Sequence, residues 1–145
     1  MKLSQGGLNL IKELEGWSAT SYPDAGGRSI GYGHFIQEEE NFEEPLDLLL
    51  GEALLQKDVE RAESALSSSL RVPLSQNQFD ALVSFVYNVG VGAFTHSTLL
   101  RMLNEGDFKG VAKQFPRWIY SKGKVLDSLI NRRKKERELF EKENS

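Results

Sequence analysis

The chain contains no cysteine. Disulfides, thiolate metal sites and a cysteine nucleophile are therefore excluded. Histidine is almost as scarce, with only His34 and His96 present, so a metal site built from several histidines is ruled out too. Long apolar runs are missing. The N-terminal stretch MKLSQGGLNLIKELEG mixes apolar with polar residues and reads as neither a signal peptide nor a membrane anchor. The expectation is a chain made in the cytosol without stable membrane insertion, needing something else to let it out. An excess of positive charge is lacking as well. Eighteen Lys/Arg face 21 Asp/Glu, a formal net charge of −3, which argues against a nucleic-acid partner.

What is present is unevenly spread. Residues 1–100 carry 6 Lys/Arg and 14 Asp/Glu, a net of −8, and residues 101–145 carry 12 and 7, a net of +5. A basic C-terminal region can meet an anionic partner, such as the polymers of a bacterial wall, or simply be a solvated helical surface. At 145 residues, 39% hydrophobic and 27% charged, the chain can fill a core. One domain spanning 1–145, or two tightly coupled lobes, is expected.

Ser4 is a natural N-cap for a first helix over 4–15, with Leu8, Ile11 and Leu14 on one face and Gly16 as its stop. Residues 17–36 change character: Gly26, Gly27, Gly31 and Gly33 accompany Pro23 and the aromatics Trp17, Tyr22, Tyr32 and Phe35. Short strands joined by Pro-Asp and Gly-Gly turns fit this, as a small antiparallel sheet. The acidic run at 38–44 reads as an exposed loop.

A long helix is expected from Pro45, carried by Leu46, Leu49, Leu50, Ala53 and Leu54, then Ala62, Ala65 and Leu66, and ended by Ser67–Ser69 and Pro73. Ser75 and Gln78 make a capping box for a helix with Phe79, Leu82, Val83, Val86 and Tyr87 as its stripe. Shorter helices follow near 97–104 and 107–115, and a last one over 126–142 turns Leu129, Ile130 and Phe140 inward. The predicted class is α+β: a β-lobe at 17–36 packed beside a helical lobe at 45–142, connected by the long helix. A ligand belongs in the cleft between them.

The chemistry concentrates at 13–34, ELEGWSATSYPDAGGRSIGYGH. Glu15 ends the first helix against the sheet, Asp24 lies nine residues on, and Ser29 follows. A helix C-terminus carries partial negative charge, which favours the protonated carboxyl that a general acid needs. Glycoside hydrolysis requires such a set: one carboxyl donates a proton to the leaving oxygen, and a second, ionised, positions a water or attacks the sugar. The same residues also fit an ordinary surface acid and a capped turn.

Glu15-Gly16, Tyr22-Pro23-Asp24, Gly27 and Ile30-Gly31-Tyr32-Gly33-His34 resemble the N-terminal signature of the phage lysozymes of glycoside hydrolase family 24, the endolysins of tailed phages. The blocks QFDALVSFVYNVGVGAFTHSTLLRMLNEGD at 78–107 and FPRWIYSKGKVLDSLINRRKKERELF at 115–140 are similar to the middle and C-terminal blocks of that family. The resemblance covers nearly the whole chain. It implies a lysozyme-like fold and a cofactor-free, monomeric muramidase that cuts the β-1,4 bond between N-acetylmuramic acid and N-acetylglucosamine in bacterial peptidoglycan.

It also implies that Glu15 is the acid, and that Asp24 with Ser29 holds a water for inverting attack. The family's third member is usually Thr, separated from the Asp by five residues. Here it is Ser29, with only four between. Arg132 or Arg133 resembles the family arginine that reaches the catalytic Glu, while Lys134 and Lys135 are expected to be solvated. Tyr32 and Gln78 are expected to line the cleft. His34 is expected to be a structural hydrogen-bonding residue, and Trp118 to be core before it is a sugar platform. The implied setting is the host cytoplasm, with action on the wall after a separate membrane-permeabilising protein, a holin, opens the membrane. A competing reading is a muramidase-like module that binds peptidoglycan without cutting it, and the Ser29 departure alone favours it.

Overall fold

Ser4 opens the first helix because its hydroxyl accepts the Gly7 amide that would otherwise lack a partner. In the computed structural model, which describes residues 1–143, α1 runs Gln5–Glu15. Residues 144–145, the end of the expected 1–145 domain, lie outside the described residues. Gly16 ends α1 at a φ of 72°, its amide bonded to the Lys12 carbonyl. Leu8 and Ile11 point into the core. Gly7 marks a close crossing, because a Cβ there would meet the carboxyl carbon of buried Asp80 at 2.7 Å. That carboxylate accepts the Ser4 amide and the Ser4 hydroxyl, tying the start of α1 to the helix that carries Asp80.

Three antiparallel strands follow, β1 Ser18–Asp24, β2 Gly27–Gly31 and β3 His34–Phe35, in the order β1-β2-β3. The expected Pro-Asp turn is not where the chain reverses. Pro23 and Asp24 stay in β1, opposite Arg28 and Gly27. The reversal lies in Ala25 and Gly26, at φ 46° and 82°, the two positive values of a tight two-residue hairpin. Pro23 is tolerated because β1 is an edge strand and needs no inward amide there.

The long helix α2 is Leu48–Ser69, capped by Asp47 and not begun at Pro45. Residues 45–47 belong to the sheet lobe instead: the Leu46 amide bonds the Ala19 carbonyl at 2.8 Å and its side chain is buried. The serines 67–69 form its last turn and do not end it early. Its inward stripe is Gly51, Leu55, Val59, Ala62 and Leu66. The leucines expected to start that stripe lie outside it, with Leu49 75% exposed. Three consecutive leucines fan out over more than half of a helix's circumference, so the run cannot itself set a face.

α3, Gln76–Val89, begins with the anticipated capping box and is buried all round from Phe79 to Val86. It is the central helix, where a single stripe was expected. Around it lie α4 Val91–Thr95, α5 Thr98–Asn104, α6 Phe108–Gln114 and a 3-10 turn at Phe115–Arg117. A small hairpin, β4 Tyr120–Ser121 with β5 Lys124–Val125, then leads into α7, Asp127–Glu141. Neither α4 nor this hairpin is visible in the sequence pattern.

On α7, Phe140 is buried and Leu129 half-buried as expected, but Ile130 is exposed. Its inward face is instead charged: Arg132, Arg133 and Glu136. The architecture is α+β as anticipated, a small sheet beside a mainly helical lobe, with α2 running between them.

Candidate active site

A cleft of about 1270 Å³ lies between the lobes. The sheet lobe lines it with Gly33, His34 and Phe35, α2 with Lys57, Asp58 and Arg61, and the helical lobe with Tyr87, Asn88 and Trp118. Glu15 and Asp24 both open into it. The two acids singled out in the sequence therefore share one space.

Glu15, the last residue of α1, is half-buried. Its Oε2 accepts a hydrogen bond from Arg132 Nη1 at 2.5 Å. Its Oε1 lies against Gly33, where an added Cβ would come within 2.6 Å of that oxygen. Gly33 has φ 82°, so glycine is required both for the backbone and for the space the acid occupies.

Arg132 reaches Glu15 from the far end of the chain, and every nitrogen of its guanidinium is engaged. Nε donates to Glu136 Oε2 at 3.2 Å, and Nη2 donates to the Ser84 carbonyl at 3.0 Å. The Ser84 hydroxyl in turn donates to Glu136 Oε2 at 2.6 Å. Burial pushes the Glu136 carboxyl up, while Arg133, Arg132 and the Ser84 hydroxyl pull it down.

Of the two candidate arginines, Arg132 touches Glu15 and Arg133 does not. Arg133 lies over the Phe85 ring at 5.1 Å, donates to Asn88 and sits 3.2 Å from Glu136. Burial, opposed by Glu136, lowers it to about 10. Lys134 is exposed as expected, whereas Lys135 pairs with Glu13.

Asp24 is exposed at the end of β1, and Ser29 on β2 is fully buried beside it. The Ser29 hydroxyl donates to Asp24 Oδ2 at 2.8 Å. Its single proton is committed to the carboxylate, so the hydroxyl orients the acid. Tyr22 is half-buried, and its hydroxyl is pushed up by burial, then by Asp24, then by Glu15. One side chain thus feels both acids.

Two expected lining residues lie elsewhere. The Tyr32 ring packs on Trp17 at 4.9 Å and under the Lys12 ammonium, and does not line the cleft. Its carbonyl accepts the Tyr87 hydroxyl at 3.3 Å. Gln78 is spent on the α3 cap, its Oε1 accepting the Ser75 amide at 2.9 Å. Gln78 does not line the cleft.

Trp118 is both things considered: it packs edge-on to Phe85 at 5.3 Å and borders the cleft. Tyr87 also borders it, half-buried, with a hydroxyl pushed up by burial and by the Glu15 and Asp58 carboxylates. Sequence reasoning passed over Tyr87, because its place in the α3 stripe read as core.

His34 is buried between two carboxylates. Nδ1 is 2.7 Å from Asp58 Oδ2 on α2, and Nε2 is 2.8 Å from Glu40 Oε1. Burial lowers its proton affinity, but the hydrogen bonds to Asp58 and Glu40 outweigh that and raise it. Glu40 is held low by the Gln37 amide and by His34, against its own desolvation. His34 is structural, as expected, but it joins the sheet to α2 and does not merely brace its own hairpin.

The chain matches the family model described as phage lysozyme over residues 12–136. It is 44% identical over 143 residues to an endolysin of Bacillus phage PZA, covering 97% of this chain and 55% of that protein. It is 39% identical over 144 residues to an endolysin of Salmonella phage P22, covering 97% of this chain and 98% of that one. The chain thus spans about half the length of the Bacillus phage relative and nearly all of the P22 relative. Among solved structures, the muramidase domain of SpmX from Asticaccaulis excentricus superposes with a TM-score of 0.89 at 36% identity, over 98% of this chain and 99% of that one.

Proposed function

Because this chain belongs to the phage lysozyme family, we propose that it is an endolysin that hydrolyses the β-1,4 bond between N-acetylmuramic acid and N-acetylglucosamine in bacterial peptidoglycan. One observation carries this reading: Glu15 and Asp24 open into a single cleft, one held by a guanidinium and the other by a buried hydroxyl. Glu15 protonates the glycosidic oxygen as the bond to the sugar breaks. Arg132 then stabilises the carboxylate left behind. Asp24, with Oδ2 fixed by Ser29, turns its other oxygen to a water and takes that water's proton as it attacks the anomeric carbon. Attack from the opposite side of the ring inverts that centre. No step calls on a metal or cofactor.

We further infer a monomer that meets the wall with the help of a separate membrane-permeabilising protein. Among the described residues no helix is long and apolar enough to cross a membrane. Lysis of an expressing culture, with and without an opened membrane, tests that dependence.

The reaction itself is tested by mass analysis of digested peptidoglycan. Reducing-end muropeptides are expected from the wild-type chain and none from Glu15→Gln, which cannot donate the proton. Anhydro-muropeptides would show a transglycosylase instead. A Glu15→Gln protein that digests walls at the wild-type rate would remove Glu15 from the mechanism.

A further inference from the structure

The acid is held by an arginine that is itself held by a second acid. Glu136 lies one helical turn beyond Arg132 on α7 and is fully buried. The groups facing it are Arg132 and Arg133 from its own helix and Ser84 from α3. Through Arg132 it is linked to Glu15 at the end of α1. Two carboxylates and two guanidiniums thus form one cluster, buried except where Glu15 meets the cleft, with no net formal charge when both acids are ionised.

A burial this deep needs a reason. An ion cluster kept only to brace two helices is replaceable as a whole by apolar side chains, often with no loss of stability. Arg132, however, has one nitrogen on Glu15, which lines the cleft, and another on Glu136. Its positive charge is therefore divided between two acids. Were Glu15 to meet that charge undivided, the guanidinium would favour its ionised form more strongly. An acid that must arrive at the sugar still protonated is poorly served by such a partner.

We propose that Glu136 is a positioning residue for the acid. Through Arg132 it sets how much positive charge Glu15 meets, and hence the pH at which hydrolysis is lost on the alkaline side. This rests on the assignment of Glu15 as the proton donor. The Ser84 hydroxyl serves the same end, since it fixes Glu136 Oε2 on the Arg132 side.

The test is the pH profile of kcat/KM for release of reducing ends from soluble peptidoglycan fragments. Wild type is compared with Glu136→Gln, which keeps the shape and removes the charge, and with Glu136→Asp, which keeps the charge. The alkaline limb of Glu136→Gln is expected to move down by roughly one pH unit, at the low end of what one nearby opposite charge does. The limb of Glu136→Asp is expected to stay in place, whatever stability it loses. A merely structural Glu136 would change the height of the curve and leave its limb where it was.

Superposable limbs for wild type and Glu136→Gln would overturn the proposal. So would a Glu136→Asp limb displaced as far as that of Glu136→Gln, because length and not charge would then be at work. Should Glu136→Gln fail to fold with Arg133 left unpaired, Arg133→Met is compared with the Arg133→Met, Glu136→Gln double variant. The double variant's limb is expected to lie below that of Arg133→Met, and coincidence of the two would refute the idea. A wild-type protein that releases no reducing ends refutes the hydrolase reading itself. An active wild type with unmoved limbs refutes only the part assigned to Glu136.

Discussion

Gly33→Ala separates the two demands placed on that glycine. Its φ is 82°, and an L side chain in left-handed backbone costs about 1–2 kcal/mol. For a chain of this size that lowers Tm by about 2–8 °C. The added Cβ would stand 2.6 Å from Glu15 Oε1. Ordinary carbon contacts lie near 3.5 Å, so the carboxyl must retreat by about 1 Å.

The retreat itself is cheap, because Oε1 is the far end of a flexible side chain. It is expensive for the reaction. Misplacing a reacting group by about 1 Å can cost on the order of 10²-fold in rate. Gly106→Ala is the control: its φ is 76°, nothing lies within 4 Å of its added Cβ, and it does not line the cleft. Thermal melts and reducing-end release are measured on both. Both are expected to melt lower by similar amounts, and only Gly33→Ala to lose activity. A Gly33→Ala enzyme that melts lower yet works within a few-fold of wild type would show that the carboxyl does not rest against residue 33 during the reaction.

Ser29→Ala should lower kcat by about 10- to 100-fold with little change in KM, because one hydrogen bond to a charged group is worth about 1.5–3 kcal/mol and this one orients Asp24 for the transition state; a fully active variant leaves Ser29 as hairpin filling. His34→Gln should remove stability in a pH-dependent way. The proton affinity of His34 is raised by its two carboxylates, so its contribution is fully present below the unfolded value near 6.5 and disappears as pH rises through the folded one. The Tm gap between wild type and His34→Gln should therefore be widest in mildly acidic buffer and close at alkaline pH, and a gap that widens instead would mean that His34 is buried neutral. Gln78→Ala should cost about 1 kcal/mol through the lost capping box and leave activity alone; an activity loss without a Tm loss would return Gln78 to the cleft.

Local chemistry made much of this fold legible. Ser4, Gly16, Ser75 and Gln78 announce helix ends because capping acts over three or four residues. The two acids were legible for the same reason, lying on adjacent elements with only eight residues between them. What stayed hidden depends on long-range packing. The leucines at 48–50 could not show which side of α2 faces inward until the core chose Leu55, Val59 and Ala62. The RRKK run divides into a buried pair, an exposed lysine and a surface ion pair according to which helices lie beneath, and no periodicity reports that. Tyr32 was misplaced because it lies in the turn between β2 and β3, where no periodicity says which way a side chain points. Glu136 had one signal: four residues after Arg132, on the same face of one helix.

The acid and its arginine are 117 residues apart. A ribosome making this chain adds Glu15 long before it reaches Arg132. Until α7 emerges and docks, the nascent polypeptide lacks the guanidinium that holds the Glu15 carboxyl in place.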